Sequence, residues 1–346
     1  MSISRRELLK LAGVAGAVTI APGIVRAQEL EKKDVAIAVG GQALIYYLPL
    51  SIANLNGYFK DEGLNAKVID FAGGSKALQA VVGGSADVVS GAFEHTINLQ
   101  SKGQMYRAFA QQGQAPMIVL AVSTKTMADY KTPADLKGKK IGVTAPGSST
   151  NMMASFFLAQ HGLKPTDVSF VGVGAGAGAI TAMRTGQIDA IANLDPVIST
   201  LLKEDAIKII ADTRTLKDTH QIFGGNMPSG CLYTSQEFID ANPNTTQALA
   251  NAIFRADQWI QKATPDEIAK VVPEGYLLGD PELYKLALKG NKEALSPDGT
   301  VAKDGPETAL KALAAFVPNF PTDKIDISKI WTNDFVAKAK QKYANA

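Results

Sequence analysis

The sequence predicts an α/β fold of two lobes facing each other across a central cleft, and three observations carry that expectation. Short apolar runs of strand type alternate with longer helical stretches as far as residue 235, the order of a mainly parallel sheet flanked by helices. A unit recurs: "GGSKALQAVVGGSADVVSG" (73–91) returns in paler form as "AGAGAITAMRTGQIDAIA" (175–192). At an offset of 102 positions, Gly74, Ala77, Ala80, Gly84 and Asp87 fall on Gly176, Ala179, Ala182, Gly186 and Asp189. Beyond Ser235 the strands stop and helix follows helix, so this tail must pack on a sheet built earlier.

The elements follow in order. "SRRELLKLAGVAGAVTIAPGIVRAQ" begins the chain with a charged start, an apolar run from Leu11 to Val25 and a small-residue site at Val25-Arg26-Ala27. It reads as an export signal, residues 1–27, with Ser4-Arg5-Arg6-Glu7-Leu8-Leu9-Lys10 in twin-arginine form and cleavage after Ala27. The apolar run is interrupted by Gly and Pro and falls short of the ~20 residues of a membrane span. A periplasmic location follows. "VAIAV" (35–39) is a strand, "PLSIANLNGYFKDEG" (49–63) a helix, "AKVID" a strand, Ser75 onward a helix, and "ADVVS" the third strand. "EHTINLQSKG" is helical, and "MYRAFAQ" and "MIVLAVST" complete a first block near Ser123. The second block starts over with Thr132 and Pro133 opening a short helix, then strand "KIGVT", helix "STNMMASFFLAQHG" and strand "VSFVGV". The repeat helix, "DAIAN", "IKIIAD" and "CLYTS" (231–235) follow. In the tail, Thr264-Pro265-Asp266-Glu267 has capping-box form, and "DPELYKLALKG", "GPETALKALAAF" and "DISKIWTNDFVAKAKQKY" have helical spacing. One lobe is therefore expected to hold 28–123 plus 235–346, and the other, inserted, 124–234. The chain would cross between them near Val122–Lys125 and Leu232–Ser235.

Composition narrows the function. The formal charge is +2; the first 27 residues carry +3 of it, leaving the remainder at −1, with no basic field for nucleic acid. Cys231 is the single cysteine, so an intramolecular disulfide or cysteine metal cluster is impossible, and "GCLYT" suits a buried thiol. No metal or cofactor motif appears: "PGSSTN" lacks the lysine of a phosphate loop, and "GVGAGAGA" lacks dinucleotide spacing.

In an open α/β sheet, ligands bind beyond the carboxyl ends of the strands. The candidate residues are then Gln42, Tyr46, Tyr47, Gly74, Ser75, Phe93, Glu94, His95 and Gln112 from the first lobe. Ser148, Ser149, Thr150, Asn193, Asp195 and Asn226 come from the second. These rims carry small residues, amides, hydroxyls and aromatics, with no lysine or arginine. "AGGSK" and "PGSSTN" each put Gly and a hydroxyl at a helix start, where free N–H groups and the helix dipole favour an anionic or polar group. The two loops are expected at matching places in the two lobes. Each hydroxyl also suits a plain helix cap. Of the three histidines only His95 lies in a rim, and Glu94 beside it faces elsewhere on a helix, so an acid–base pair is not expected.

The succession "YYLPLSIANLNGYFKDEGL", "FAGGSKALQAVVGGSADVV", "LKGKKIGVTAPGSST" and "AMRTGQIDAIANLDP" resembles the nitrate/sulfonate/taurine group of substrate-binding proteins for ABC importers, from about Val35 to about Ala263. Matching positions are Ala53, Gly57-Tyr58-Phe59, Glu62-Gly63-Leu64, Gly84, Ala86, Asp87 and Leu136-Lys137-Gly138-Lys139. The resemblance implies a periplasmic-binding-protein fold (type II) and a non-enzymatic monomer without cofactor. Such a protein captures a small organic ligand, mono-anionic such as a sulfonate or carboxylate, and delivers it to a membrane permease with its ATPase. The same superfamily includes thiamine-pyrimidine synthases, which carry a cysteine-rich motif that a single cysteine cannot form. A ligand-sensing binding protein is a third reading.

Overall fold

A computed structural model describes residues 29–344; the export signal expected at 1–27 lies outside the described residues. Ten strands build two five-stranded sheets. They are β1 (Asp34–Gly40), β2 (Asn65–Phe71), β3 (Val88–Ala92), β4 (Tyr106–Gln111), β5 (Val119–Ser123), β6 (Lys140–Val143), β7 (Ser169–Gly172), β8 (Ala190–Asn193), β9 (Ile207–Asp212) and β10 (Gly230–Ser235). The first sheet runs β2-β1-β3-β10-β4 and the second β7-β6-β8-β5-β9. Each lobe is thus an α/β unit, and together they make the periplasmic-binding-protein fold.

The recurring unit has a structural meaning. β1 pairs in parallel with β2 and β3, and β6 does the same with β7 and β8. The repeated helices span Gly74–Val82 and Ala177–Thr185. The repeated aspartates do the same work. Asp87 accepts from Ala36 N at 2.8 Å and Asp189 from Lys140 N at 2.9 Å, each tying the start of the middle strand it precedes to the neighbouring strand, β1 or β6.

Two expectations are corrected. β5, assigned to the first lobe by the 28–123 boundary, lies in the second sheet; β10, assigned to the second, lies in the first. Both run antiparallel to both their neighbours, so the sheets are mixed. "VLAVS" and "GCLYT" are buried along their whole length, and a fully buried strand reads the same whichever sheet receives it. The crossings therefore fall earlier, at residues 112–118 and 224–229. They run side by side, with Ser229 N donating to Gly113 O at 3.1 Å and Gln112 N to Gly230 O at 2.6 Å.

The tail serves both lobes. The Pro243–Lys262 helix, begun at Pro243, packs on the Leu48–Leu55 helix, on β4 and on the Asp334–Lys342 helix. Gly305–Phe316 lies against the Glu94–Gln100 helix of the first lobe and the Ser149–Gln160 helix of the second. Pro281–Asn291 meets the Val197–Lys203 helix of the second lobe. Two helices are shorter than the spacing suggested. Gly57, at φ 75°, breaks 49–63 into Leu48–Leu55 and Tyr58–Asp61, and 326–343 is helical only as a short turn at Ile327–Lys329 and at Asp334–Lys342.

Candidate functional site

The carboxyl ends of β1, β2 and β3 face those of β6 and β8, and the loops after them touch. Ser75 N, one residue into its helix, donates to Ser148 Oγ at 3.0 Å. Ser148 Oγ donates to Ser75 Oγ at 3.2 Å, which donates on to Pro146 O at 2.9 Å. Ile45 N reaches Asp195 O at 3.0 Å, and Ser149 Oγ donates to Glu94 Oε1 at 2.6 Å. These bonds join the two lobes directly.

The loops that meet are not equivalent ones. Ser75 follows β2, the edge strand whose counterpart in the other sheet is β7, whereas Ser148 follows β6, the counterpart of β1. The counterpart of "AGGSK" (72–76) in the repeat is "GAGAG" (174–178), and that of "PGSST" is the Gln42–Tyr47 stretch after β1. The expectation of matching places is corrected accordingly: the shared chemistry of Gly and Ser hid a difference in topology.

Enclosed between the loops is a small cavity of about 20 Å³ walled by Gly40, Leu44, Tyr46, Tyr47, Gly74, Ala92, His95, Ile118, Thr144, Ser148, Ser149, Thr150 and Leu194. Seven of the residues expected at the site stand there: Tyr46, Tyr47, Gly74, His95, Ser148, Ser149 and Thr150. The tyrosine rings meet edge to face at 4.7 Å. Both are buried and both stand at the cavity wall. Tyr46 Oη and His95 Nε2 are buried without a hydrogen-bond partner, and such groups are costly unless something pairs with them. The other His95 nitrogen, Nδ1, lies 2.8 Å from Tyr233 Oη. Gly91 makes that pairing possible: a Cβ there would sit 2.9 Å from Tyr233 Oη. Burial pushes the His95 imidazole down to about 4, against a weaker opposing pull from the Gly147 backbone, so it is neutral at pH 7. Burial raises the Tyr46 and Tyr47 phenols, which keep their protons.

A second small cavity, also of about 20 Å³, shares Ile118 and Ser149 with the first. Glu94 and Ser229 stand at its wall; the rest is Met, Phe, Leu, Ala, Pro and Ile. Burial raises the Glu94 carboxyl, while Ser149 pulls the other way. Ser229 Oγ is buried and unpartnered. Sequence reasoning missed the contribution of Ala309, Ala312, Leu313 and Phe316 on the tail helix, because nothing in "GPETALKALAAF" separates a cleft wall from a core face. It also missed Gly40, Ala92, Ile118 and Thr144. Neither cavity is lined by lysine or arginine among the described residues.

The remaining expected residues are employed elsewhere. Phe93 is wholly buried in the first lobe's core. Gln112 pairs with Ser90 at 2.9 Å beneath the sheet. Gln42 gives its N–H to Asp70 Oδ1, and Asn193 braces Gly174 O at 3.1 Å. Asp195 is a paired anchor: Asn291 Nδ2 donates to it at 2.7 Å, Arg214 Nη1 at 3.3 Å and Ser199 N at 2.8 Å. Asn226 links His220 to Asp304 near the crossing. Ser75 works in the interlobe contact, and Thr150 Oγ1 accepts from Thr144 N at 3.0 Å, bracing its own loop. Cys231 is buried, its thiol raised by desolvation.

A family model described as NMT1-like matches residues 29–273. A solved structure from Bordetella bronchiseptica RB50 is 69% identical, covers 92% of this chain and 100% of its own, and superposes with a TM-score of 0.91. The alkanesulfonate-binding protein SsuA from Xanthomonas axonopodis pv. citri, bound to MOPS, is 19% identical over 90% of this chain and 99% of its own, with a TM-score of 0.66. Among curated proteins, the 4-amino-5-hydroxymethyl-2-methylpyrimidine phosphate synthase of Candida albicans is 23% identical over 67% of this chain and 68% of its own.

Proposed function

The chain belongs to the NMT1-like family, and from that premise we propose that it is the extracytoplasmic solute-binding component of an ABC importer. It acts as a monomer without a cofactor, closes its two lobes around one small organic molecule, and presents the closed form to a membrane permease and its ATPase. The observation that carries this reading is the cavity between the loops, where Tyr46 Oη and His95 Nε2 are buried without partners at a place both lobes close. A solute that bonds to both groups stabilises the closed arrangement by its differential affinity, and the open–closed equilibrium shifts accordingly. The paired crossings at 112–118 and 224–229 are the hinge, where a few residues absorb the backbone change. Export by the twin-arginine route belongs to the same proposal.

The likeness to a pyrimidine phosphate synthase raises catalysis as the competing reading. Against it, the Glu94 carboxyl is turned to Ser149 while His95 pairs with Tyr233, so the cleft holds no carboxylate–imidazole pair. The Cys231 thiol is sealed in the sheet. The test is a disruption of the gene together with recovery of solute from the purified protein. The proposal expects loss of uptake of one solute class and recovery of that solute unchanged. Chemical conversion of the solute by the protein alone would refute it.

A further inference from the structure

A neutral imidazole carries one ring proton, and the nitrogen that holds it decides whether the ring gives or takes a hydrogen bond on its far side. For His95 the neighbour that matters stands outside the cavity. Resting on the solute-binding reading above, we propose that Tyr233 is a positioning residue that sets what the site accepts. It holds His95 as the Nε2–H tautomer, so the cavity presents a fixed donor and takes the acceptor end of the solute.

Tyr233 lies on β10, wholly buried, and is not part of the cavity wall. Burial pushes its phenol well above the ordinary range, so it keeps its proton. That proton needs an acceptor, and among the described residues the Tyr233 hydroxyl has one hydrogen-bond partner, His95 Nδ1 at 2.8 Å. With Nδ1 as acceptor, the phenol proton is satisfied and the imidazole proton sits on Nε2. With Nδ1 as donor, the phenol proton is buried with no acceptor, which is costly, and Nε2 becomes a bare lone pair. The first arrangement satisfies the pair and the second strands one of its members. The pair adopts the first.

Nε2 then turns a proton toward the helix starts. A Cβ added at Gly74 would lie 3.5 Å from His95 Cε1, the carbon bonded to Nε2. The other fixed groups there have the same sense. The first-turn N–H groups of Gly74, Ser149 and Thr150, all at the cavity wall, have no partner among the described residues. Hydroxyls of the wall, Tyr46 among them, rotate to suit either role; these four N–H groups only donate. They come from both lobes, His95 and Gly74 from one and Ser149 and Thr150 from the other. A space of about 20 Å³, little more than one water needs, suits a compact terminus. An oxygen without a proton, as in a carboxylate, another oxyanion or a carbonyl, accepts from these groups. An ammonium or amidinium, which only donates, opposes them.

The experiment is proton–nitrogen correlation NMR of the full mature protein, its histidines labelled with nitrogen-15, with His95→Gln to assign the resonances. With no probe present, His95 should show a single tautomer, protonated at Nε2 and bonded at Nδ1. In Tyr233→Phe the second tautomer should appear. Gly91→Ala, whose Cβ would lie 2.9 Å from Tyr233 Oη, should reproduce the change with the phenol still present, which guards against a folding defect in either variant. Acetate and acetamidinium, alike in shape, then probe the cavity. Acetate should perturb the Nε2 resonance and bind about tenfold more tightly than acetamidinium. Tyr233→Phe changes no charge, so a preference that falls about threefold in that variant reports the tautomer. Protonation at Nδ1 in the parent, or equal binding of the two probes or of neither, would overturn the proposal. So would a Tyr233→Phe variant that lowers the Tm and moves neither tautomer nor preference. The tautomer is read without any solute, so chemical conversion of a solute would overturn the importer reading and leave this one standing.

Discussion

Gly73 offers a way to hold the lobes apart with a single methyl group. It precedes the Gly74–Val82 helix with φ −179° and ψ 164°, extended backbone that any residue adopts. A Cβ added there would meet Ala145 Cβ at 2.8 Å, Ala145 N at 3.0 Å and Thr144 C at 3.0 Å, all on the opposite lobe. Two of these are backbone atoms, which cannot swing aside as a flexible side chain can. Gly73→Ala is therefore a wedge that strains only the closed form. Overpacking of this kind costs about 1–3 kcal/mol, which lowers the closed population, and hence affinity, by about 5- to 150-fold. The open form should be unharmed, and loss of unfolded-state entropy should stabilise it by about 0.4–1 kcal/mol. Gly176→Ala is the control: it is the repeat counterpart of Gly74, and its Cβ would meet nothing within 4 Å. Calorimetry with the solute recovered from the purified protein, paired with small-angle scattering, reads both effects. The wedge variant should bind weakly and keep a larger radius of gyration with ligand present, while the control matches the parent. If Gly73→Ala binds and scatters like the parent, the Gly73–Ala145 contact does not gate closure and the reasoning fails.

Other outcomes follow from the bonding around the cleft. Thr150→Ala leaves the buried Thr144 N–H without its acceptor and should lower stability by about 1–3 kcal/mol, read by urea denaturation. Asp195→Ala takes an acceptor from the buried Asn291 amide and from Ser199 N while Arg214 keeps Asp212, and should cost about 1–3 kcal/mol, visible as a lowered Tm without ligand. Asp257, buried on the Pro243–Lys262 helix with neither oxygen bonded, has its carboxyl raised well above the ordinary range by burial, with Asp298 adding to the shift. The folded state then keeps a proton that the unfolded state releases, so this group costs stability progressively as pH rises from about 4, the ordinary carboxylate value. Asp257→Asn should remove that pH-dependent loss; denaturation curves whose separation does not change between pH 4 and pH 8 would contradict the assignment.

What the sequence made legible was local. The repeat located β3 and β8, the middle strand of each sheet, because helix, glycine break and strand follow one another in one short stretch; that Asp87 and Asp189 reach back 51 and 49 residues to Ala36 and Lys140 was not readable there. The capping box at Thr264 and Glu267 formed as written, since all its partners lie within one turn. The loops after the strands gave seven cavity residues for the same reason: their position depends on strand direction alone. What escaped depended on partners distant in the chain. β5 and β10 exchange sheets, and no feature within five buried residues encodes which sheet accepts them. Asp195 looked like a rim carboxylate until Asn291 and Arg214, 96 and 19 residues away, claimed it. The second cavity draws its walls from both lobes, both crossings and the tail, so only the folded arrangement reveals it.

The most direct test of the central claim is a native mass spectrum of the protein purified from its own host's extracytoplasmic fraction, taken beside Gly73→Ala prepared in the same way. The account predicts one small organic molecule bound per chain on the parent, released unchanged on denaturation, and absent or much depleted on the wedge variant. Identical spectra for the two, or a released molecule chemically altered by incubation with the parent protein, would contradict it.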